Sequence, residues 1–255
     1  IWARRLKERY GATDPRSMML RFHTQTAGCS LQAQQPLVNI VRVTIQALAG
    51  VLGGTQSLHT DSFDETLCLP TEEAVRVALR TQQVIAEESG VAHTIDPLGG
   101  SYFVEQLTDK MEREALAYID RIEQMGGIIA AIEAGFPQKE IADAAFHYQQ
   151  QIDSGEKTLV GVNKYQIPPE EDHQLQILKI SSEVEQRQLA RLRDVKARRD
   201  ESAVRAALDR IEQCCRSDEN TFPAILEAVR HYATVGEICA TMKTVFGVYE
   251  EATVL

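Results

Sequence analysis

Residues 53–70, GGTQSLHTDSFDETLCLP, constrain the fold of this chain more than any other stretch. Two glycines open it, and hydrogen-bonding side chains such as Gln56, His59 and Asp61 then follow in close succession. A strand meant only for a core would be richer in Val and Ile. Parallel α/β folds place their ligand sites at the carboxyl ends of the strands. The stretch therefore predicts a strand that ends at such a site.

The neighbouring segments alternate between strand and helix patterns. Residues 18–28 and 92–100 predict two further short strands, one on each side of the first. The connecting segments predict helices, the second capped by Thr71 and ending at Gly90. The first connecting segment has one apolar stripe, made of Val41, Ile45, Leu48 and Leu52. Both helices are long enough for parallel crossovers, so the order predicts an α/β fold with parallel strands.

The second half of the chain has a helical pattern. It predicts helices that end near Gly126 and Gly155, and then a short extended segment. Residues 168–172 are rich in proline and acidic residues, which is typical of a linker. Three more helices are predicted beyond it, the last ending near Phe246.

Composition excludes several classes of partner and compartment. The 255 residues carry a formal net charge of −10, whereas a nucleic-acid-binding protein usually presents a basic surface. No apolar run approaches the roughly 20 residues that a membrane-spanning helix needs, and no signal peptide is visible. Five cysteines without regular spacing indicate reduced thiols and a cytoplasmic location.

The polar residues at the predicted strand ends are the candidates for chemistry. His23 and Gln25 end the first strand, and Glu65 lies one turn beyond the second. No serine or cysteine sits on a nucleophile elbow, and no histidine spacing indicates a metal site. Each residue taken alone could be a structural polar group, but two successive strand ends favour a ligand site. Gly28 is either a turn glycine or a point where a flat ligand approaches the backbone.

Four long motifs carry a family resemblance. They are RFHTQTAGCSLQAQQP, residues 39–91 around GGTQSLHTDSFDETLCLP, DPLGGSYFVEQLT and IDSGEKTLVGVNKYQ. In this order and spacing, they closely resemble the large subunit of methylmalonyl-CoA mutase and its acyl-CoA mutase relatives. The resemblance extends over essentially all 255 residues.

The resemblance implies a fold and a division into domains. Family members form a (β/α)₈ TIM barrel, of which this chain matches the C-terminal portion, followed by a helical tail. Residues 1–167 are expected to be the barrel segment with its following helices, and residues 168–255 a helical C-terminal extension. The remaining N-terminal half of the barrel would have to come from elsewhere. The absence of an initiator methionine likewise indicates either a piece of something longer or a matured product.

The resemblance also implies an activity. Family members are adenosylcobalamin-dependent radical isomerases that rearrange the carbon skeleton of an acyl-CoA, here most readily methylmalonyl-CoA to succinyl-CoA. The chain ends about where large subunits without a fused cobalamin domain end, which favours a separate cobalamin-binding small subunit as partner. The alternatives are a sibling mutase acting on ethylmalonyl-, isobutyryl- or 2-hydroxyisobutyryl-CoA, or a non-catalytic partner fragment.

Roles for individual residues follow from the same resemblance. His23 and Gln25 are the expected catalytic pair near the substrate, and no metal ligand is expected in this chain. The expected cofactor contacts are Gly28, Asp61, Glu65, Cys68 and Gln149. Asp61 stands where relatives have Asn, which puts its ribose contact in doubt. Cys29 stands where a Trp is usual, so packing against the corrin would differ there.

Overall fold

The computed structural model describes residues 1–168, 171–172 and 175–250. The chain divides into two compact units, the first running from Ile1 to Leu178 and the second starting at Lys179. The division expected between residues 167 and 168 stays a prediction.

The first unit contains two parallel strands and the helices that connect and follow them. Strand β1 (His23–Gln25) follows helices α1 (Trp2–Glu8) and α2 (Pro15–Met18). Strand β2 (Ser57–His59) follows helix α3 (Val38–Leu52), and the strands pair in parallel with His23 opposite Ser57. The later helices are α4 (Glu72–Glu87), α5 (Tyr102–Gln124), α6 (Ile128–Glu133) and α7 (Phe136–Asp153). The predicted order strand, helix, strand, helix is confirmed as far as α4.

Local signals explain where α4 begins. The side chain of Thr71 accepts a hydrogen bond from the backbone N–H of Ala74, as its position before the helix predicts. Glu72 and Glu73 occupy the first turn, where the helix dipole favours acidic groups. Gly90 lies two residues beyond Glu88, the C-terminal cap of α4. Its φ is +74°, which glycine adopts without strain.

One sequence prediction for this unit is wrong. Residues 92–100 form a short 3₁₀ turn and then turns rather than a third strand, because no neighbouring strand pairs with them in the described residues. Ile95 is correspondingly 96% exposed. The apolar stripe of α3 also faces outward at Val41 and Ile45. The buried residues of α3 are instead Asn39, Val43 and Ala47, spaced four apart, and the helix packs on β2 and α4.

The second unit is helical. Its described residues form α8 (Ser182–Arg198), α9 (Glu201–Cys215), α10 (Phe222–Arg230) and α11 (Val235–Phe246). The sequence predicted three helices here, whereas the described residues form four, and Asp200 separates α8 from α9. Its side chain accepts hydrogen bonds from Ser202 N and Ala203 N, which caps the start of α9 directly after α8.

An apolar core holds α9, α10 and α11 together. Ile211 and Ala228 have no exposed surface, and the buried thiols Cys214 and Cys215 complete the same cluster. The two vicinal cysteines therefore serve as small apolar side chains at the end of α9. Within the described residues, no helix combines the length and apolar character needed to cross a bilayer.

Candidate functional site

The pairing of β1 with β2 sets the outward face of the site. His23 and Gln25 are two residues apart and both exposed, as are their partners Ser57 and His59. His23 Nδ1 lies 2.7 Å from Ser57 Oγ, so the ring is fixed across the strand pair. Side chains alternate along a strand. Thr24 accordingly faces the other way and donates to Thr55 Oγ1 at 2.8 Å.

The loop after β2 turns inward and buries polar side chains. Residues 60–64 are all buried, and the side chain of Asp61 has no exposed area. The backbone N–H of Asp61 donates to Thr26 Oγ1 at 2.9 Å. Asp61 Oδ1 accepts from Gln25 Nε2 at 3.0 Å and lies 3.5 Å from His59 Nε2. The two strand ends are thus joined by one buried carboxylate.

Asp64 connects this loop to helix α4. Its Oδ2 atom accepts from the backbone N–H of Thr71 at 3.0 Å and from Thr71 Oγ1 at 2.8 Å. These bonds fix the residue that caps α4. Glu65, the next residue, takes no part in that capping and remains exposed.

Gly28 allows Glu65 to approach the end of β1. A Cβ atom on Gly28 would lie only 2.5 Å from Glu65 Oε1 and 3.8 Å from Asp61 Oδ2. Any larger residue would therefore displace the Glu65 carboxyl. Loss of hydration raises the pKa of Glu65 even though the residue is exposed, and the charge of nearby Asp61 raises that pKa further.

Asn39 supports the site and was missed by the sequence analysis. This side chain, without exposed surface, donates to the backbone oxygens of Gln32 and Phe63 and accepts from Gln32 N. It therefore ties the loop after β1 to the loop after β2. Arg42, one turn along α3, donates to Asn39 Oδ1 at 2.7 Å and to Val160 O. The one available signal was an Asn at four-residue spacing from Val43 and Ala47.

The two remaining predicted site residues lie in different surroundings. Cys68 is half-buried, and its sulfur lies 3.9 Å from Asp64 Oδ2. Gln149 is exposed on α7 and donates to Asp153 of the same helix at 2.7 Å. Among the described residues, the structure does not bring Gln149 into hydrogen-bonding contact with the residues of β1 and β2.

The chemistry of the donors and acceptors suits a hydroxylated ligand more than a bare metal ion. The described part of the chain has no group of three or more His, Cys, Asp or Glu side chains able to hold a metal. His23, Gln25 and Glu65 instead present an imidazole, an amide and a carboxyl on one exposed rim. Asp61 Oδ2 is buried beneath that rim and has no hydrogen-bond partner among the described residues. Each of these groups can form a hydrogen bond with a hydroxyl group of a ligand.

Comparisons with known proteins agree over nearly the whole chain. The family model described as methylmalonyl-CoA mutase matches residues 1–248. The 2-hydroxyisobutanoyl-CoA mutase large subunit of Aquincola tertiaricarbonis is 46% identical over 254 residues, which are 99% of this chain and 45% of that protein. The methylmalonyl-CoA mutase of Escherichia coli is 45% identical over 241 residues, 94% of this chain and 34% of that protein. The chain thus spans less than half the length of these relatives.

Proposed function

The chain belongs to the methylmalonyl-CoA mutase family, and we propose that it is part of an acyl-CoA carbon-skeleton mutase. In this proposal β1 and β2 are neighbouring strands of a (β/α)₈ barrel, and the rest of the barrel comes from a longer polypeptide or a second chain. The parallel pairing of β1 with β2 supports this arrangement, because barrel strands are parallel neighbours joined by helices such as α3.

One observation carries the proposal. The register of β1 and β2 places His23 and Gln25 on one exposed rim, and the loop after β2 adds Glu65. Three different polar groups on one rim can hold a hydroxylated cofactor on one side and a polar acyl group on the other. Adenosylcobalamin, when bound, would supply the radical chemistry of the rearrangement.

The chain's own residues would position the reactants. Because His23 Nδ1 is engaged by Ser57 Oγ, Nε2 is the ring nitrogen that can contact a substrate oxygen. Gln25 is held through its amide nitrogen by Asp61, so its carbonyl oxygen can accept from a ligand. Glu65 would accept hydrogen bonds from ribose hydroxyls, and Gly28 leaves it room to do so. Groups fixed in this way reduce the loss of entropy that accompanies bringing the reactants into position.

The substrate class is a CoA thioester with a short branched acyl chain. Methylmalonyl-CoA is the first choice, and the relative named for 2-hydroxyisobutanoyl-CoA favours testing that thioester as well. The expected partner is a cobalamin-binding small subunit.

The test uses the complete protein that contains this chain, supplied with adenosylcobalamin and, where the cobalamin domain is separate, the small subunit. We expect it to isomerise one of the two thioesters. Gln25→Ala should lower kcat by about 100-fold, since a misplaced reactant costs on that order. Gln124→Ala, on α5 and exposed, is the matched control and should be unchanged. Inactivity toward both thioesters with the cofactor bound would overturn the proposal.

A further inference from the structure

Asp61 presents one carboxylate oxygen to several groups and the other to none. Oδ1 accepts from Gln25 Nε2 and lies near His59 Nε2, whereas Oδ2 is buried without a partner among the described residues. A buried, unpaired carboxylate oxygen loses its hydration without compensation, which is costly. A donor at Oδ2 would remove that cost.

Glu65 is the group placed to supply it. The 2.5 Å and 3.8 Å distances from a Cβ on Gly28 show that Glu65 Oε1 and Asp61 Oδ2 both converge on that glycine. Two ionised carboxylates can only accept hydrogen bonds and repel each other. One proton between them makes one carboxyl a donor and the other an acceptor.

We propose that Asp61 and Glu65 share one proton, with the protonated Glu65 donating to Asp61 Oδ2. Asp61 then acts as a positioning residue, because its two oxygens fix Gln25 on one side and Glu65 on the other. The assignment deepens the proposed function by explaining how the rim is held, and it rests on that function only for the identity of the ligand.

The electrostatics around Glu65 agree with this arrangement. Its pKa is raised first by burial, then by Asp61, and also by the charge of Asp64, while His59 lowers it. From the side of β1, the groups that face Glu65 and Asp61 are Gly28 and Gln25, and both are uncharged. The acidic neighbours therefore outweigh the single basic one. Glu65 keeps its proton to a higher pH than an ordinary glutamate does.

The protonation state has a consequence for binding. In the protonated pair, Glu65 is held inward by Asp61 and keeps one oxygen free to accept from a ligand hydroxyl. Loss of the proton at higher pH leaves two adjacent carboxylates that repel, so the Glu65 side chain swings away from Gly28. Affinity for a ligand bearing ribose hydroxyls should therefore fall as pH rises through the pKa of Glu65.

The direct test is infrared spectroscopy of the complete protein labelled with ¹³C in its Glu and Asp carboxyl groups. We expect a protonated-carboxyl C=O band that persists above about pH 5, where an ordinary glutamate is ionised. Glu65→Gln and Asp61→Asn should each abolish it, since an amide replaces the shared proton as donor. A wild-type protein without the band, or a band that persists in Glu65→Gln, would overturn the proposal.

A second readout is the affinity for adenosylcobalamin between pH 5 and pH 8. Wild-type affinity should fall at least threefold as pH rises, while Asp61→Asn should show no such trend because Asn can accept from Gln25 and donate to Glu65 at every pH. Asp61→Ala, which can do neither, should lose affinity throughout. A pH dependence unchanged by Asp61→Asn would contradict the proposal. The infrared band does not depend on mutase activity, so an inactive protein that shows the band would sink only the proposed function.

Discussion

Two regions of this chain, one in each unit, bury different kinds of side chain. Around the strand ends of the first unit, the buried residues include Thr26, Asn39, Thr60, Asp61 and Asp64. In the second unit, the buried cluster is apolar throughout and centres on Ile211. An apolar cluster tolerates exchange of one hydrophobic group for another of similar size, whereas a polar network requires every donor to find its acceptor. The first region is thus specified by hydrogen-bond pairing and the second by volume.

The largest expected effect lies in the apolar unit. Ile211→Ala removes three carbon atoms from a side chain without exposed surface, so we expect a loss of about 4 kcal/mol in the free energy of unfolding. Urea denaturation of the complete protein measures it. The control is Val235→Ala on α11, which is 77% exposed and should change the free energy by less than about 0.5 kcal/mol. Equal effects of the two variants would mean that this cluster is not the core of the unit.

A somewhat smaller effect is expected from the polar network. Asn39→Ala leaves the backbone groups of Gln32 and Phe63 without their buried partner, so stability should fall by about 2–3 kcal/mol. Unlike Ile211→Ala, it should also raise amide hydrogen exchange in both loops that border the site. Gln34→Ala, exposed and close in sequence, provides the comparison. If exchange rose only in the helices, Asn39 would act only as a packing residue of α3 and would not link the two loops.

The smallest effect tests the polar exception in the second unit. Arg199, whose side chain is 3% exposed, binds Glu237, and this bond holds the pKa of Glu237 well below its ordinary range. A depressed carboxyl pKa stabilises the fold above the pKa of the unfolded chain, and the contribution is lost as pH falls.

Glu237→Gln should therefore cost about 1 kcal/mol at pH 7 and progressively less below about pH 4, where the unfolded glutamate takes up its proton. Denaturation curves of both proteins from pH 7 to pH 3 measure the difference. Glu201→Gln, at a 68% exposed side chain that also pairs with Arg199, should change little. A difference between wild type and Glu237→Gln that stayed constant with pH would show that the charge of Glu237 is not what stabilises this contact.

The sequence predicted those elements whose causes are local. Thr71 caps α4 through its own side chain, and glycines end several helices, so spacing alone located these boundaries. The strand expected at 92–100 failed because a strand depends on a partner that is distant in sequence. The outward face of Val41 and Ile45 was likewise invisible, since periodicity indicates an apolar stripe and not what covers it.

The site was partly predictable for the same reason. His23, Gln25 and Glu65 stand out because polar side chains cluster at the ends of the predicted strands. The structure places His23 and Gln25 on one face of the strand pair and Glu65 in the loop after β2. Asn39 and Asp64 do not stand out in the sequence. They support the site through hydrogen bonds to groups that other segments contribute. The separation of Gln149 from this group could not be read from its helix alone. The roles of all these residues stay predictions until the variants are measured.

Because β1 pairs with β2 in a fixed register, this region is more sensitive to a change in chain length than to a change of residue type. His23 lies opposite Ser57 and Gln25 opposite His59, so the rim exists only while the two strands keep this register. One residue inserted or deleted within β1 would exchange its two faces, turning Thr24 outward and both rim residues toward the interior. Point substitutions can then adjust this rim one group at a time, but an insertion or deletion changes every group at once.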